Sequence, residues 1–439
     1  MDCTCNRTHF QFYGVLTENN TIESQLLALY NRGGENNINK AERHVINKTH
    51  PMYSACDNLC FLAKNMYNLC NYTIRQEFFE TKKVKKYGDL NKELKHTDAF
   101  MELGSNAAQM VTKALCKSWK SFLVSVKDYT VHPEKYLGKP KIPAYKKKDG
   151  RFVCTLTNMQ TKVKDGYLYF AFKRMKEYNN LIRTKVTGHH LSTRIVPKGG
   201  CYIIEIVYDD EKQCKNELDR NRIASIDLGV NNFVTMVNDI GESSIVINGK
   251  GIKSYNQYWN KKVSNLKSIA KTVNGSDWTK QMQNLTNKRY FKMEYFMHCA
   301  SRWIVNYCVE HNIGTLVIGK NDGWKQKSDM PKIVNQSFTQ IPYENFIQKL
   351  EYKCVETGIV LIKTEEAYTS GTSFLDDELP IKENYNKSRR VHRGLFKSNN
   401  GEYINADVNG AFQIMRKVFS NVKANEIVGA YSHPVIINL

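Results

Sequence analysis

A chain of 439 residues has enough length for two or three domains, each with its own core. With 41% apolar and 24% charged residues it has a globular composition, which excludes a disulfide scaffold and long disordered tracts. The 64 Lys and Arg against 43 Asp and Glu leave a formal charge of +21, which favours a polyanionic partner. No apolar run is long enough to span a bilayer and Met1 to Arg7 does not begin a secretory signal, so the expectation is a cytoplasmic protein with no membrane partner.

Met1 to His50 is mixed and polar, with Asn31 to Asn37 reading as a loop. From Met52 to Phe79, Leu59, Leu62, Ala63, Met66, Tyr67 and Leu69 recur at helical spacing. Ala107, Met110, Val111, Ala114, Leu115, Trp119 and Phe122 do the same between Asn106 and Lys127. Together they predict a small helical domain over about 51–132. Pro133, Pro140 and Pro143 then break the period, and "FVCTLTNMQTKVKDGYLYFAF" and "CYIIEIVYD" predict a compact β domain over 133–218. Its basic rim holds Lys139, Lys141, Lys146, Lys147 and Lys148.

From 219 onward, strands are predicted at Ile223 to Ile226, Phe233 to Val237 and Ser244 to Ile247. A long basic helical region follows from Tyr255 to Asn312, then a buried strand, "TLVIGKN". Next come a helix over Tyr343 to Glu356, a strand in "GIVLIKTEEAYTS", and a helix over Asp407 to Phe419. The whole is a multidomain α+β chain whose last part is an α/β layer with a mixed sheet, and its reactive groups should gather at strand ends. Basic residues interleave with aromatics from Lys139 to Phe152 and in "NKRYFKMEYF", which contains Arg289. Such mixtures suit single-stranded or guide nucleic acid, cations neutralising phosphates and rings stacking on bases.

Of the twelve cysteines, Cys3 and Cys5 are too close for the usual zinc-knuckle spacing, and Cys56 with Cys60 reads as a pair of buried thiols on a helix. No cysteine follows Cys354, which excludes a structural zinc ribbon in the C-terminal part by ligand count.

Three acidic points fall where a sheet could bring them together. Asp227 ends the first strand in "SIDLGVNNFVT", which by itself also reads as an Asp-x-Gly-x-Asn hairpin turn. Glu365 and Glu366 end the strand Ile359 to Lys363, and are otherwise solvated. Asp407 starts the last helix and is a candidate for its N-cap, with Asn405 and Asn409 nearby. Three carboxylates on separate segments can hold one or two Mg²⁺, the arrangement used in phosphodiester cleavage.

"SIDLGVNNFVT", "TLVIGKNDGWKQ", "FTQIPYENFIQKLEYKCVETGIVLIKTEEAYTSGTSFLD" and "RGLFKSNNGEYINADVNGAFQIMRK" together resemble the RuvC-like nuclease domain of the TnpB family. Members are RNA-guided DNA nucleases of insertion-sequence transposons, related to type V CRISPR effectors. "HPMYSACDNLCFLAKNMYNLCNYTIRQEFF" is similar to the family's recognition-lobe helix, and the likeness runs from about His50 to Lys417. It implies a helical recognition domain over 51–132, a β-barrel-like wedge domain over 133–218 joined by 1–50, and an RNase H-like RuvC domain over 219–439. It also implies that Asp227 and Asp407 are catalytic metal ligands.

The middle glutamate departs from the family pattern. Many members place it where Gly319 stands, and the subgroup with "IGxNxGWKQ" is similar in supplying the carboxylate from the strand before "YTS" instead. Strand alternation lets only one of the adjacent pair face a metal, with Glu366 taken first and Glu365 as its alternative. An insert over about 368–403 stands where many relatives carry a CxxC…CxxC ribbon, so no zinc is expected. Its basic run, with Arg389, Arg390 and Arg393, is either a contact to the target strand or a solvated loop. Trp324 is either a core ring or a stacking platform.

The function that the resemblance implies is a transposon-encoded, RNA-guided DNA endonuclease. It would take guide RNA and double-stranded DNA as partners and cut beside a short flanking motif at one Mg²⁺-dependent site, with Mn²⁺ able to substitute. The alternatives are a CRISPR-associated effector of the same fold and a nuclease-dead repressor that only occupies DNA. Loss of Asp227 or Asp407 would favour the repressor, and both are present.

Overall fold

The computed structural model describes residues 39–210, 216–321, 331–427 and 433–439. The expectations for the segment before residue 39, including Cys3 and Cys5, and for Trp324 lie outside the described residues. The described residues divide into two compact units, 39–210 and those from 216 onward.

In the first unit, α1 (Tyr53–Thr81) buries Cys56, Leu59, Cys60, Ala63, Met66, Tyr67, Cys70 and Ile74, one stripe at three- and four-residue spacing. Two short helices, α2 (Tyr87–Leu94) and α3 (Asp98–Leu103), lead to α4 (Ser105–Val131), whose Ala107, Val111, Leu115 and Trp119 share that core. The Trp119 indole donates to Asn71 Oδ1 at 3.0 Å, so its one polar atom is satisfied inside the core.

Around these helices lie β1 (Asn39–Ile46), β2 (Cys154–Thr157), the hairpin β3 (Thr161–Lys164) with β4 (Tyr167–Phe170), β5 (His189–Lys198) and β6 (Cys201–Asp209). An antiparallel sheet orders them β1-β6-β5-β2. The polar strand β1 is not predicted from its pattern. Its inward face carries Lys40, Glu42 and His44, which pair with Asp210 and with each other, and only Ile46 at its end joins the apolar core.

A row of α1 side chains grips the extended stretch 143–148. Arg75 and Asn71 donate to the Pro143 carbonyl at 2.6 and 2.9 Å, Asn68 to that of Lys146 at 3.0 Å, and Lys64 to that of Lys148 at 2.8 Å. With its carbonyls held inward, the stretch leaves Lys147 and Lys148 exposed.

The second unit is built on a six-stranded sheet. Its strands are β7 (Asp219–Leu228), β8 (Asn232–Asn238), β9 (Ile245–Asn248), β10 (Ile313–Gly319), β11 (Val360–Thr364) and β14 (Val435–Ile437), ordered β11-β10-β7-β8-β9-β14. β7, β10 and β11 run parallel, whereas β8 is antiparallel to β7.

Alternation along β7 sends Ala224, Ile226 and Leu228 to one face, against α6 (Lys280–Glu310) and α8 (Tyr343–Thr357). The opposite face, with Ile223, Val237, Val317 and Ile362, packs on Val408, Ala411, Phe412 and Met415 of α9 (Ala406–Val418). The predicted helical region from Tyr255 to Asn312 is two helices, α5 (Lys250–Asn274) and α6. Gly275 closes the first in the left-handed region at φ 66°, and the Thr279 side chain caps the second by accepting from the Met282 N–H. A short α7 (Lys332–Thr339) precedes α8.

Between β11 and α9 runs the insert, with a small hairpin of β12 (Leu395–Lys397) and β13 (Tyr403–Asn405). Glu378 is its hub: one carboxylate oxygen takes the Arg389 guanidinium at 2.6 Å and the Ser373 N–H at 2.8 Å, the other the Asn399 amide at 3.1 Å. Buried Arg416 of α9 reaches back to Asp377 at 2.7 Å, and Phe374 stacks on Phe412 at 4.2 Å.

Candidate active site

Three parallel strands end together, and the acidic groups collect at those ends. Asp227 lies near the end of β7 on the face that α9 covers. One position past the paired Ile318 and Ile226, Gly319 comes abreast of it at the end of β10, and Gly319 itself pairs with Thr364, the last residue of β11. Glu366 follows two residues after that strand ends.

The expected strand through "KTEEAYTS" stops at Thr364, so Glu365 and Glu366 part at a strand exit rather than by pleat alternation. Glu365 turns outward, 60% exposed, and its Oε1 meets Lys417 Nζ at 2.5 Å. Glu366 turns inward. A Cβ added to Gly319 would lie 2.6 Å from Glu366 Cγ and 2.7 Å from its Oε1. The Glu366 side chain therefore occupies the volume that a side chain at position 319 would need.

The N-terminal end of α9 closes the site. Asn405, not Asp407, is its N-cap: Asn405 Oδ1 accepts from the N–H groups of Asp407 and Val408 at 2.9 and 3.2 Å. Cap duty falls to the asparagine, which leaves the Asp407 carboxylate in the first turn free to point outward. There it accepts from Asn232 Nδ2 at 2.7 Å and from Arg390 Nη2 at 3.3 Å. One turn on, Gly410 faces Asp227, whose Oδ2 would be 3.1 Å from a Cβ there, and Ser225 donates to the Ala411 carbonyl at 2.6 Å. The small residue lets helix and carboxylate approach closely.

Electrostatics tie the three acids together. Burial, then Glu366 and then Asp407 raise the Asp227 carboxyl well above the usual carboxylate range, against a smaller opposing pull from Arg390. Burial raises Glu366 from its ordinary 4.5 to about 7. Glu366 Oε1 is buried with no hydrogen-bond partner in the described structure. Tyr343, whose hydroxyl donates to the Gly229 carbonyl at 2.8 Å, likewise holds its proton more tightly because of burial and these two carboxylates.

The acids are neighbours, yet among the described residues no three His, Cys, Asp or Glu side chains close into a ligand set ready for a metal ion. Like charges without a cation stay apart, and Asp407 is engaged by Arg390 and Asn232. The donor set nevertheless fits Mg²⁺, since all three groups are hard oxygen donors and the buried, unpartnered Glu366 Oε1 lacks the positive partner that burial demands.

A pH dependence follows for the metal-free protein. The folded state keeps the Glu366 proton up to about pH 7 while the unfolded chain releases it near 4.5, so between these values the native state binds more protons and stability falls as pH rises. Melting temperature is expected to decline across that window and to decline less in Glu366→Gln, with added Mg²⁺ raising it most at the upper end, where the carboxylates ionise. An identical slope in the variant would remove Glu366 as the cause.

The cations predicted to bind nucleic acid divide by environment. Lys139, Lys141, Lys147, Lys148 and Arg393 are exposed, whereas Lys146 Nζ lies over the Tyr67 ring at 4.8 Å. Arg289 turns inward, bonding Asn256 Oδ1 at 2.6 Å and the Gln340 carbonyl at 3.1 Å, and Arg389 is spent on Glu378. Arg390 sits at the acidic cluster. Asn321, Gly410 and the pairing of Arg390 with Asp407 leave no local signal in the sequence, whereas Asn232 is marked by its place in the Asp-x-Gly-x-x-Asn turn after β7.

Residues 205–325 match the OrfB_IS605 family, described as a probable transposase, and 343–414 match the Cas12f1-like TNB domain. The TnpB-like protein ORF457 of Acidianus two-tailed virus is 23% identical over 404 residues, 84% of each chain. By these matches the chain is similar to the TnpB family and to the related type V effectors. The CRISPR-associated endodeoxyribonuclease Cas12f1 of Sulfoacidibacillus thermotolerans is 28% identical over 224 residues, 48% of this chain and 49% of its own. Among solved structures, a cryo-EM Cas12f1–sgRNA–target DNA complex aligns with a TM-score of 0.52 at 15% identity, covering 83% of this chain and 82% of that one. It shares the mixed, multidomain α+β fold. Among the described residues no helix is long and apolar enough to cross a membrane.

Proposed function

We propose that this chain is a transposon-encoded, RNA-guided DNA endonuclease that cuts double-stranded DNA beside a short flanking motif at one RuvC-like site. Asp227, Glu366 and Asp407 would be its catalytic carboxylates and would hold Mg²⁺, with Mn²⁺ able to substitute. The observation that carries the reading is the unpartnered Glu366 Oε1, buried beside Asp227 in space that Gly319 leaves open. An anionic pocket of this kind is costly unless a cation neutralises it.

When bound, the metal supplies Lewis-acid stabilisation of charge on the phosphodiester and of a water nucleophile. The protein's own groups set the stage. Asp227 and Glu366 must release the protons that burial favours, and the rigid strand ends and α9 hold their spacing. Arg390, which pairs with Asp407, is the cation at the rim that can attract the phosphate backbone. Residues 51–132 are assigned guide and target recognition, 133–218 with 1–50 the wedge role, and 219–439 the nuclease. In the insert the Glu378 carboxylate ties together Arg389, Ser373 and Asn399.

Guide pairing would read sequence while the protein reads backbone and shape. The chain is expected to purify with a long structured RNA, and RNA-free protein should not cut. Asp227→Ala and Asp407→Ala should each abolish cleavage while guide-dependent DNA binding stays near the wild-type level, measured by gel shift beside a cleavage assay. Equal cutting by RNA-free protein would overturn the guided reading. A variant that cuts normally would take its residue out of the site.

A further inference from the structure

We infer that Asn321 is a positioning residue that sets the Glu366 carboxylate toward its metal-binding pose, an inference that rests on Glu366 being a ligand. Two residues beyond Gly319, Asn321 turns both ends of its amide to Glu366. Its Oδ1 accepts the Glu366 N–H at 2.9 Å and its Nδ2 faces Glu366 Oε2 at 3.4 Å. The backbone is held from both sides of this contact. Lys320 N–H donates to the Thr364 carbonyl at 2.7 Å, and Thr369 donates its N–H and hydroxyl to the Glu366 carbonyl at 3.3 and 2.9 Å.

One carboxylate oxygen is thus engaged and the other, Oε1, is left buried and bare. An asparagine is the residue type this task needs, because it accepts from a backbone N–H and donates to a carboxylate at once. Aspartate would set a second negative charge against Oε2. A glutamate delivered by a strand has its direction fixed by the pleat. Glu366 lies past the end of β11, so an outside group must fix its direction, and Asn321 is placed to do so.

The test uses the full chain loaded with its guide RNA, with Mn²⁺ as the probe, followed by electron paramagnetic resonance. The Glu366→Ala complex serves as the blank that subtracts ions held by RNA. Asn321→Ala is expected to weaken the Glu366-dependent Mn²⁺ site by about 10- to 100-fold, the usual cost of losing a partner that orients a ligand. Guide-dependent DNA binding should be retained, and in a Glu366→Ala background Asn321→Ala should change nothing further.

Mn²⁺ binding equal to wild type in Asn321→Ala would overturn the proposal, as would the same loss in both backgrounds. If Glu366→Ala itself binds Mn²⁺ like wild type, the ligand assignment fails, and that result is distinguishable from failure of the clamp alone. Should Asn321→Ala fail to fold, Asn321→Gln, which carries the amide one methylene farther, is read against the same two outcomes.

Discussion

Glu366→Ala is expected to eliminate cleavage, a loss of at least about 10²-fold, the scale of removing one preorganised electrostatic contact to a transition state. Glu365→Ala is expected to leave most of it. The two residues are adjacent, but Glu366 turns into the pocket and couples to Asp227, whereas Glu365 is 60% exposed on Lys417. With its acidic half in solvent, the pair contributes at most about 1 kcal/mol, and Glu365 makes no contact with the other two carboxylates. Guide and target binding should survive in both variants, since neither side chain belongs to the basic surfaces. Cleavage and gel-shift assays on the two complexes decide the matter. The reverse outcome would move the ligand to Glu365, and full activity in the double variant would place the third ligand elsewhere.

Much of this was legible in the sequence because the core signals are local. The stripes of α1 and α4, the apolar runs of β7, β8 and β10, and the carboxylates at their ends follow from period and composition. What escaped was polar and long-range. β1 shows no apolar alternation because its inward residues are satisfied by charge partners, Lys40 with Asp210 and His44 with Glu42. The break at Gly275 falls inside a helix-favouring basic run, where one glycine is a weak stop signal and the Thr279 cap makes it decisive. Asp407 looked like a cap because it begins the apolar pattern, but Asn405 two residues earlier takes the amide groups. Arg289 and Arg389 look like surface cations by type and are internal struts by contact, which no window of sequence around them reveals. The Asn321–Glu366 contact spans 45 residues, so it exists only once β10 and β11 pair.

Gly319→Ala is the change expected to do the most with the least chemistry. Its Cβ would sit 2.6 Å from Glu366 Cγ and 2.6 Å from Ile414 Cδ1. Neither neighbour yields easily, since Ile414 is fully buried on α9 and Glu366 is pinned by Asn321 and Thr369. Overpacking of this kind costs about 1–3 kcal/mol, so the melting temperature should fall. The cheaper relief is for the Glu366 side chain to swing out, so cleavage should fall with it, toward the level of Glu366→Ala. The two losses separate in double variants. Gly319→Ala with Glu366→Gly removes the clash with Glu366 but keeps the one with Ile414, so it should regain part of the stability without cleavage, because the carboxylate is gone. Gly319→Glu with Glu366→Gly returns a carboxylate to the end of β10, abreast of Asp227, and should cut better than Glu366→Gly alone. Wild-type melting and cleavage in Gly319→Ala would mean that the two positions do not compete for one space, and the account of why position 319 is a glycine would fall with it.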